Sequence, residues 1–195
     1  MKCFMIKKGK CIILSAPSGS GKTTLVKHLL SFKNLNLVFS ISATTRVKRI
    51  DESQGKDYLF IEKKEFKKMI VDDEFIEFEE VYKGVFYGSL KKSVNDLLNK
   101  HNVIFDIDVE GGIKLKKFFK SDAMSVFVKP PNMGVLKNRL ESRGLDSEKS
   151  ISKRLLKSEK EMSREKMFDK VLVNDDLTLA KKQVLALVKE YLDFD

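Results

Sequence analysis

Residues 16–23 read Ala-Pro-Ser-Gly-Ser-Gly-Lys-Thr, directly after the apolar run Cys11-Ile12-Ile13-Leu14. A strand that delivers a turn of small residues presents a row of backbone N–H groups, and such rows converge on phosphate oxygens. The helix expected from about Lys22 aims its positive dipole end at the same point. Ala16, Pro17, Ser18, Gly19, Ser20 and Gly21 would then cradle nucleotide phosphates, with Thr24 just inside the helix. Lys22 would reach the terminal phosphates and the Thr23 hydroxyl would hold Mg²⁺. The pattern G-x-x-x-x-G-K-[ST] is met everywhere except at its first position, where Ala16 stands. Alanine serves there if the backbone needs no positive φ. A plain Gly/Ser turn between strand and helix is the bland alternative, and it leaves the Lys-Thr pair in register unexplained.

Four apolar runs, Cys11–Ser15, Val103–Asp108, Ser125–Val128 and Lys170–Val173, are rich in β-formers and lack polar alternation. Strands buried between two layers of helices have this character. Helical patterns fall between them: Thr24–Leu30, Leu90–Leu98, and a final stripe of Leu177, Ala180, Val184, Leu187 and Tyr191. The alternation predicts an α/β fold, a doubly wound parallel sheet of the P-loop NTPase type.

Two stretches interrupt it. Residues 40–90 turn to Ser/Thr, aromatic and alternating patterns, as in Phe75-Ile76-Glu77-Phe78, and predict a small antiparallel insert. Residues 131–163 are almost wholly polar and carry Arg139, Arg143 and Arg154, with Asp146 suited to cap a helix starting at Ser147. Such a helical hairpin has little reason to join the core and reads as a lid. One domain over 1–195 is therefore expected, with core segments 1–39, 91–130 and 164–195. An insert to hold an acceptor and a lid to close over it are what phosphoryl transfer requires.

The net charge of +10 invites a nucleic-acid reading, but only six of the 38 basic residues are arginine. The lysines are spread along the chain among Asp and Glu, as on solvated faces, and no aromatic-basic RNA-binding segment occurs. The positive field would still draw in anionic nucleotides. No apolar run approaches the roughly 20 residues that span a bilayer, and the start Met1–Lys8 is too short in apolar residues for a signal sequence. Cys3 and Cys11 show no metal spacing. A cytoplasmic protein is expected, without nucleic-acid or membrane partners.

The remaining chemistry lies in short constellations. In Ser42-Ala43-Thr44-Thr45-Arg46-Val47-Lys48-Arg49, a chain that favours lysine places two arginines three apart, which suits bidentate grip on a phosphate. Tyr58 in Gly55-Lys56-Asp57-Tyr58 and Tyr87 before Gly88-Ser89 could complete a phosphate cage. A carboxylate at Glu77 could accept paired N–H donors from a purine such as guanine. Val103-Ile104-Phe105-Asp106 places an acid at a strand's carboxyl edge, where open α/β sheets bind ligands, and Asp108 two residues on would face the same side. Asp106 would support Mg²⁺ opposite Thr23, through water. Arg139 and Arg143, four apart, share one helix face, and Arg154 could join them. Taken singly, each is as well explained by a solvated turn or a strand end.

Their order resembles that of the guanylate kinases, over nearly the whole chain from Ser15 to Asp176. The shared motifs are the loop, Thr44-Thr45-Arg46 with Arg49, Gly55-Lys56-Asp57-Tyr58, Tyr87-Gly88-Ser89, Asp106-Ile107-Asp108, Arg139-Leu140 through Arg143-Gly144, and Val173-Asn174-Asp175. Alanine at the loop's first position is also usual there. The resemblance implies ATP-dependent phosphorylation of GMP, with dGMP as a further acceptor, in purine nucleotide metabolism. It implies Arg46, Arg49, Tyr58 and Tyr87 on the GMP phosphate, and Ser42, Glu77, Ser89 and Asp108 around the guanine. Lys22, Arg46, Arg139, Arg143 and Arg154 would stabilise the transferring charge, and Asn174 and Asp175 would lie near the adenine. A monomer or small homo-oligomer is expected.

Three departures stand out: Glu110 where the family more often has Gln, one extra residue around Lys83-Gly84, and Phe86 for a common Tyr. Other readings are a phosphopeptide-binding module, disfavoured by the intact Lys22-Thr23, and a kinase for another acceptor, disfavoured by Glu77 and Ser89.

Overall fold

The computed structural model describes residues 8–142 and 148–193. In chain order the elements are β1 (Cys11–Ser15), α1 (Lys22–Leu30), β2 (Leu37–Phe39), β3 (Ala43–Thr44), β4 (Leu59–Phe60), α2 (Lys63–Val71), β5 (Phe75–Tyr82) and β6 (Val85–Leu90). There follow α3 (Lys91–Leu98), β7 (Asn102–Ile107), α4 (Val109–Phe119), β8 (Ala123–Lys129), α5 (Met133–Glu141), α6 (Glu148–Met162), β9 (Lys170–Val173) and α7 (Leu177–Leu192).

β1 is buried at every residue, so it needs neighbours on both edges and cover on both faces. It has them. The main sheet runs β2-β7-β1-β8-β9 with every pairing parallel. Ile12, Leu14, Ile104, Val126, Val128 and Leu172 face α1 and α7, whereas Cys11, Ile13, Val103 and Phe105 face α3 and α4. The four anticipated runs are thus all strands of one doubly wound sheet. β2 escaped the sequence reading because three residues are too few to show a period. α7 buries Ala180, Val184, Val188 and Leu192, while Leu177 is exposed. Its packed stripe is therefore rotated from the expected one, toward Val188 and Leu192.

The insert forms a second sheet in the order β4-β3-β6-β5. β3–β6 and β5–β6 are antiparallel as expected, and the short β3–β4 pair is parallel. Its core is Ala43, Phe66, Phe75 and Leu90, with the Phe66 and Phe75 rings stacked at 4.4 Å between centroids. Phe66 comes from α2, whose Lys63-Lys64 and Lys67-Lys68 pairs flank it. The extra residue near Lys83 does not lengthen the hairpin turn. The register passes from Glu80↔Phe86 to Tyr82↔Val85, so Val81 bulges out of the ladder.

The lid differs from the expected polar flap. α5 and α6 pack on each other through Leu136, Leu140 and Ile151, with Met133 and Leu155 partly covered. Five apolar residues at helical spacing suffice for a small core of its own, though they were too few to show against the surrounding charge. Asn132 caps α5 by accepting from the Val135 N–H at 2.9 Å. The anticipated cap Asp146 lies outside the described residues.

Candidate active site

The carboxyl ends of β1 and β7 open into a cavity of about 390 Å³, lined by residues 16–24 on one side and by Ser42, Tyr58, Glu77 and Tyr87 of the insert on the other. Asp106, Ile107 and Asp108 form its floor, and Arg154, Lys157, Ser158 and Glu161 of α6 close it from above. The edge of the sheet where the chain crosses between neighbours is where α/β folds bind ligands.

The loop owes its shape to two glycines, Gly19 at φ +95° and Gly21 at φ +87°, conformations that side chains rarely adopt. Ala16 has no positive φ, so its departure from the pattern is conformationally neutral. Lys22, the first residue of α1, places Nζ 2.7 Å from Asp106 Oδ1 and also donates to the Ile107 carbonyl. Thr23 Oγ1 donates to Asp106 Oδ2 at 2.6 Å. One carboxylate near the end of β7 therefore holds both Lys22 and Thr23 at the helix start.

In the insert, Arg46 is fixed from three directions. Its Nη2 and Nη1 donate to Glu52 Oε1 and Oε2 at 2.6 and 2.9 Å, and its Nε donates to Tyr87 Oη at 3.1 Å. The guanidinium carbon also sits 5.3 Å from the Tyr58 ring centroid and 5.6 Å from that of Phe60. The hydrogen bonds from Arg46 pull Glu52 down to about 2. Sequence reasoning missed Glu52, although its spacing, three residues beyond Arg49, offered a signal. The Arg49 N–H donates to Glu52 at 2.9 Å while its side chain is exposed.

Glu77 is 5% exposed and accepts from Ser89 Oγ at 2.8 Å. Burial pushes its carboxyl up to about 7, against the opposing bond from Ser89. Ser89 itself is wholly buried and supports Glu77 from behind. Asp108 differs from expectation in one respect. β7 ends at Ile107, so strand alternation does not govern Asp108, which instead caps α4 by accepting from the Gly111 N–H at 2.8 Å. Asp106 and Asp108 still line the same cavity.

From the lid, Arg154 lines the cavity, whereas Arg139, which it was expected to join, does not. Lys157, Ser158 and Glu161 join Arg154 at i+3, i+4 and i+7, and this face was not recognised from sequence. Lys157 Nζ lies 3.4 Å from Glu161 and 3.9 Å from Asp108. Glu161 is buried, which raises its carboxyl above the usual range. Arg139 is turned toward the end of β9, donating to the Asn174 carbonyl at 3.0 Å. Asn174 is 3% exposed, lies behind the loop and does not line the cavity, while Asp175 is exposed at the turn. Arg143 lies outside the described residues. Glu110, in the first turn of α4, sits 3.6 Å from Arg164 and does not line the cavity, so its extra charge is met by an arginine.

The chain is similar to known proteins along nearly its whole length. The sequence model of the guanylate kinase family matches residues 8–191. A guanylate kinase of Bacteroides thetaiotaomicron is 49% identical over 193 residues, covering 97% of this chain and 94% of the relative. That of Porphyromonas gingivalis is 43% identical over 184 residues, covering 94% and 98%. The crystal structure of guanylate kinase from Anaplasma phagocytophilum superposes with a TM-score of 0.74 at 30% identity, covering 94% of this chain and 86% of that one. A shikimate kinase of Bacteroides thetaiotaomicron shares the fold alone, at a TM-score of 0.53 and 14% identity. With loop, insert and lid converging on one cavity, and with relatives matched along nearly their full length, the chain belongs to the guanylate kinase family.

Proposed function

We propose that this cavity carries out phosphoryl transfer from ATP to GMP, with ATP phosphates on residues 16–24 and GMP in the insert. The observation that carries the reading is a buried acid, Glu77, in the same cavity as the Lys22-Thr23-Asp106 cluster. Guanine offers two adjacent donors, N1–H and the N2 amino group, and one carboxylate can accept from both. Adenine presents an acceptor at N1, which the same carboxylate repels. A buried polar group left unpaired costs on the order of 1–3 kcal/mol, and that penalty supplies base selection.

We assign the individual roles from the family motifs together with the geometry. Arg46, braced by Glu52 and Tyr87, and Arg49 grip the GMP phosphate together with Tyr58 and Tyr87. Ser42, Ser89 and Asp108 complete the guanine pocket, with Ser89 acting by holding Glu77. Lys22 and Arg154 flank the transferring group, and Arg139, with Arg143 beyond the described residues, would add positive charge on domain closure. No general base is needed, because the attacking phosphate oxygen is already anionic at neutral pH. Rate enhancement then comes from in-line positioning and charge neutralisation. Lid residues above the cavity exclude water, which limits loss of ATP to hydrolysis.

The donor set fits Mg²⁺. Thr23 Oγ1 and Asp106 Oδ2 are hard oxygen donors 2.6 Å apart that would hold the ion, Asp106 through water, as Mg²⁺ is ordinarily bound by one or two such groups alongside substrate phosphates and water. When bound there, Mg²⁺ neutralises charge on the phosphate oxygens.

No helix among the described residues is long and apolar enough to cross a membrane. We place the enzyme in the cytoplasm, in purine nucleotide metabolism, with dGMP as a second acceptor. The test is coupled turnover with ATP against GMP, dGMP, AMP, CMP and UMP. GMP and dGMP should be used and the other three should lag by orders of magnitude. Turnover of AMP at the rate of GMP would overturn the acceptor assignment.

A further inference from the structure

The anion-binding power of the loop depends on which way each of its peptide units faces. A peptide unit is planar and trans, so its C=O and N–H point in opposite directions. At the Ser20–Gly21 peptide the carbonyl is pinned, because Asn174 Nδ2 donates to Ser20 O at 2.7 Å in a buried bond across 154 residues of sequence. The Gly21 N–H of that same unit must therefore face away from Asn174. The side opposite Asn174 is the cavity that Ser20 and Gly21 line.

The anchor is itself held firmly. The Asn174 N–H donates to the Lys129 carbonyl at 2.8 Å, extending the β8–β9 ladder one residue past β9. Gly21 makes the close approach possible, since a Cβ there would lie 2.4 Å from Asn174 Nδ2. From the other side, Arg139 Nη2 of the lid donates to the Asn174 carbonyl. One residue thus holds the loop by its side chain and a lid arginine by its main chain.

We infer that Asn174 is a positioning residue for phosphoryl donation: through its Nδ2 it sets the orientation of the Ser20–Gly21 peptide. The inference rests on the reading that ATP phosphates occupy the loop. A side-chain amide can donate to a carbonyl, whereas an ionised carboxylate would repel it and a methyl group would leave it unpaired.

The experiment compares Asn174→Ala and Asn174→Asp with the wild type. It measures kcat and KM with ATP and with ITP, which keeps the phosphates and changes the base, together with inhibition by inorganic tripolyphosphate. GMP affinity by calorimetry reports on the integrity of the acceptor side. Both variants should lose kcat/KM by on the order of 10–100-fold, less than deletion of a whole transition-state donor, and by the same factor for ATP and ITP. Tripolyphosphate inhibition should weaken in parallel and GMP affinity should hold. An altered ATP/ITP ratio with unchanged tripolyphosphate inhibition would make Asn174 a base contact. Loss of GMP affinity in both variants would make it merely structural. Either result, or wild-type behaviour throughout, overturns the inference. Absence of competition between tripolyphosphate and ATP in the wild type would instead sink the donor-site reading itself.

Discussion

Arg46 and Glu52 meet fork to fork, with Nη2 2.6 Å from Oε1 and Nη1 2.9 Å from Oε2. Two parallel bonds fix the plane of the guanidinium, and the Tyr87 hydroxyl on Nε fixes its remaining edge. Of the five N–H groups, one on Nη2 is left for an incoming phosphate, because the second on Nη1 donates to the Val47 carbonyl. The Arg46 guanidinium is therefore oriented in the ligand-free protein by Glu52 and Tyr87.

Arg46→Lys should expose this dependence, since a lysine cannot span both Glu52 oxygens and the Tyr87 hydroxyl at once. The KM for GMP should rise by about tenfold or more while that for ATP stays within about twofold. Glu52→Ala should act in the same direction. Initial rates with each substrate varied in turn decide it, and an equal rise in both KM values would show that Arg46 does not serve the acceptor specifically.

Lys22→Ala should lower kcat by about 10²–10³-fold, the range found when one charge-stabilising donor is removed. Lys22 also pairs with Asp106, but Thr23 still donates to that carboxylate. Thermal melting should accordingly shift by only a few degrees. Near-native turnover in a folded variant would contradict the loop assignment.

Glu77 ties selectivity to pH. Its folded value of about 7 lies above the usual 4.5, so the native state binds the proton more tightly than the unfolded chain does. The resulting stabilisation is complete below about pH 4.5 and is lost as pH rises through about 7. Ligand-free Glu77→Gln should therefore gain melting temperature relative to wild type between pH 5 and pH 8. On the proposed guanine contact the carboxylate is the binding form, so the wild-type KM for GMP should fall over pH 6–8 more steeply than that of the variant. The titration of the GMP phosphate is common to both proteins and cancels. The variant should lose GMP affinity far more than ATP affinity, and a matching loss in both would remove Glu77 from the guanine pocket.

Thr23→Val keeps the shape of the side chain and removes the hydroxyl that meets Asp106. Half-maximal turnover should then need several-fold more Mg²⁺ at fixed ATP, with the GMP KM little changed. An unaltered Mg²⁺ requirement would separate Thr23 from the metal.

Much of this was legible in the chain before any coordinates. Four of the five strands of the main sheet, all but three-residue β2, announced themselves as apolar runs, because strands packed between helices bury mostly apolar side chains. The insert and lid showed as breaks in that pattern. The lid's own core did not, because Leu136, Leu140 and Ile151 are few and set among charges. Strand alternation failed for Asp108 because β7 stops one residue earlier and the side chain turns to cap α4.

Order along the chain, the strand–loop–helix at residues 11–30 and the family motifs were set by sequence alone, since period, chain direction and turn chemistry are local properties. Tertiary structure alone decided who partners whom: Ser89 behind Glu77, the face of α6 over the cavity, and Asn174 beneath Ser20 from 154 residues away. It also decided the state of Glu77, whose raised pKa comes from burial that distant segments impose. A sequence pattern records which residue types a position tolerates, while a hydrogen bond or a desolvated charge depends on what the folded chain brings alongside it.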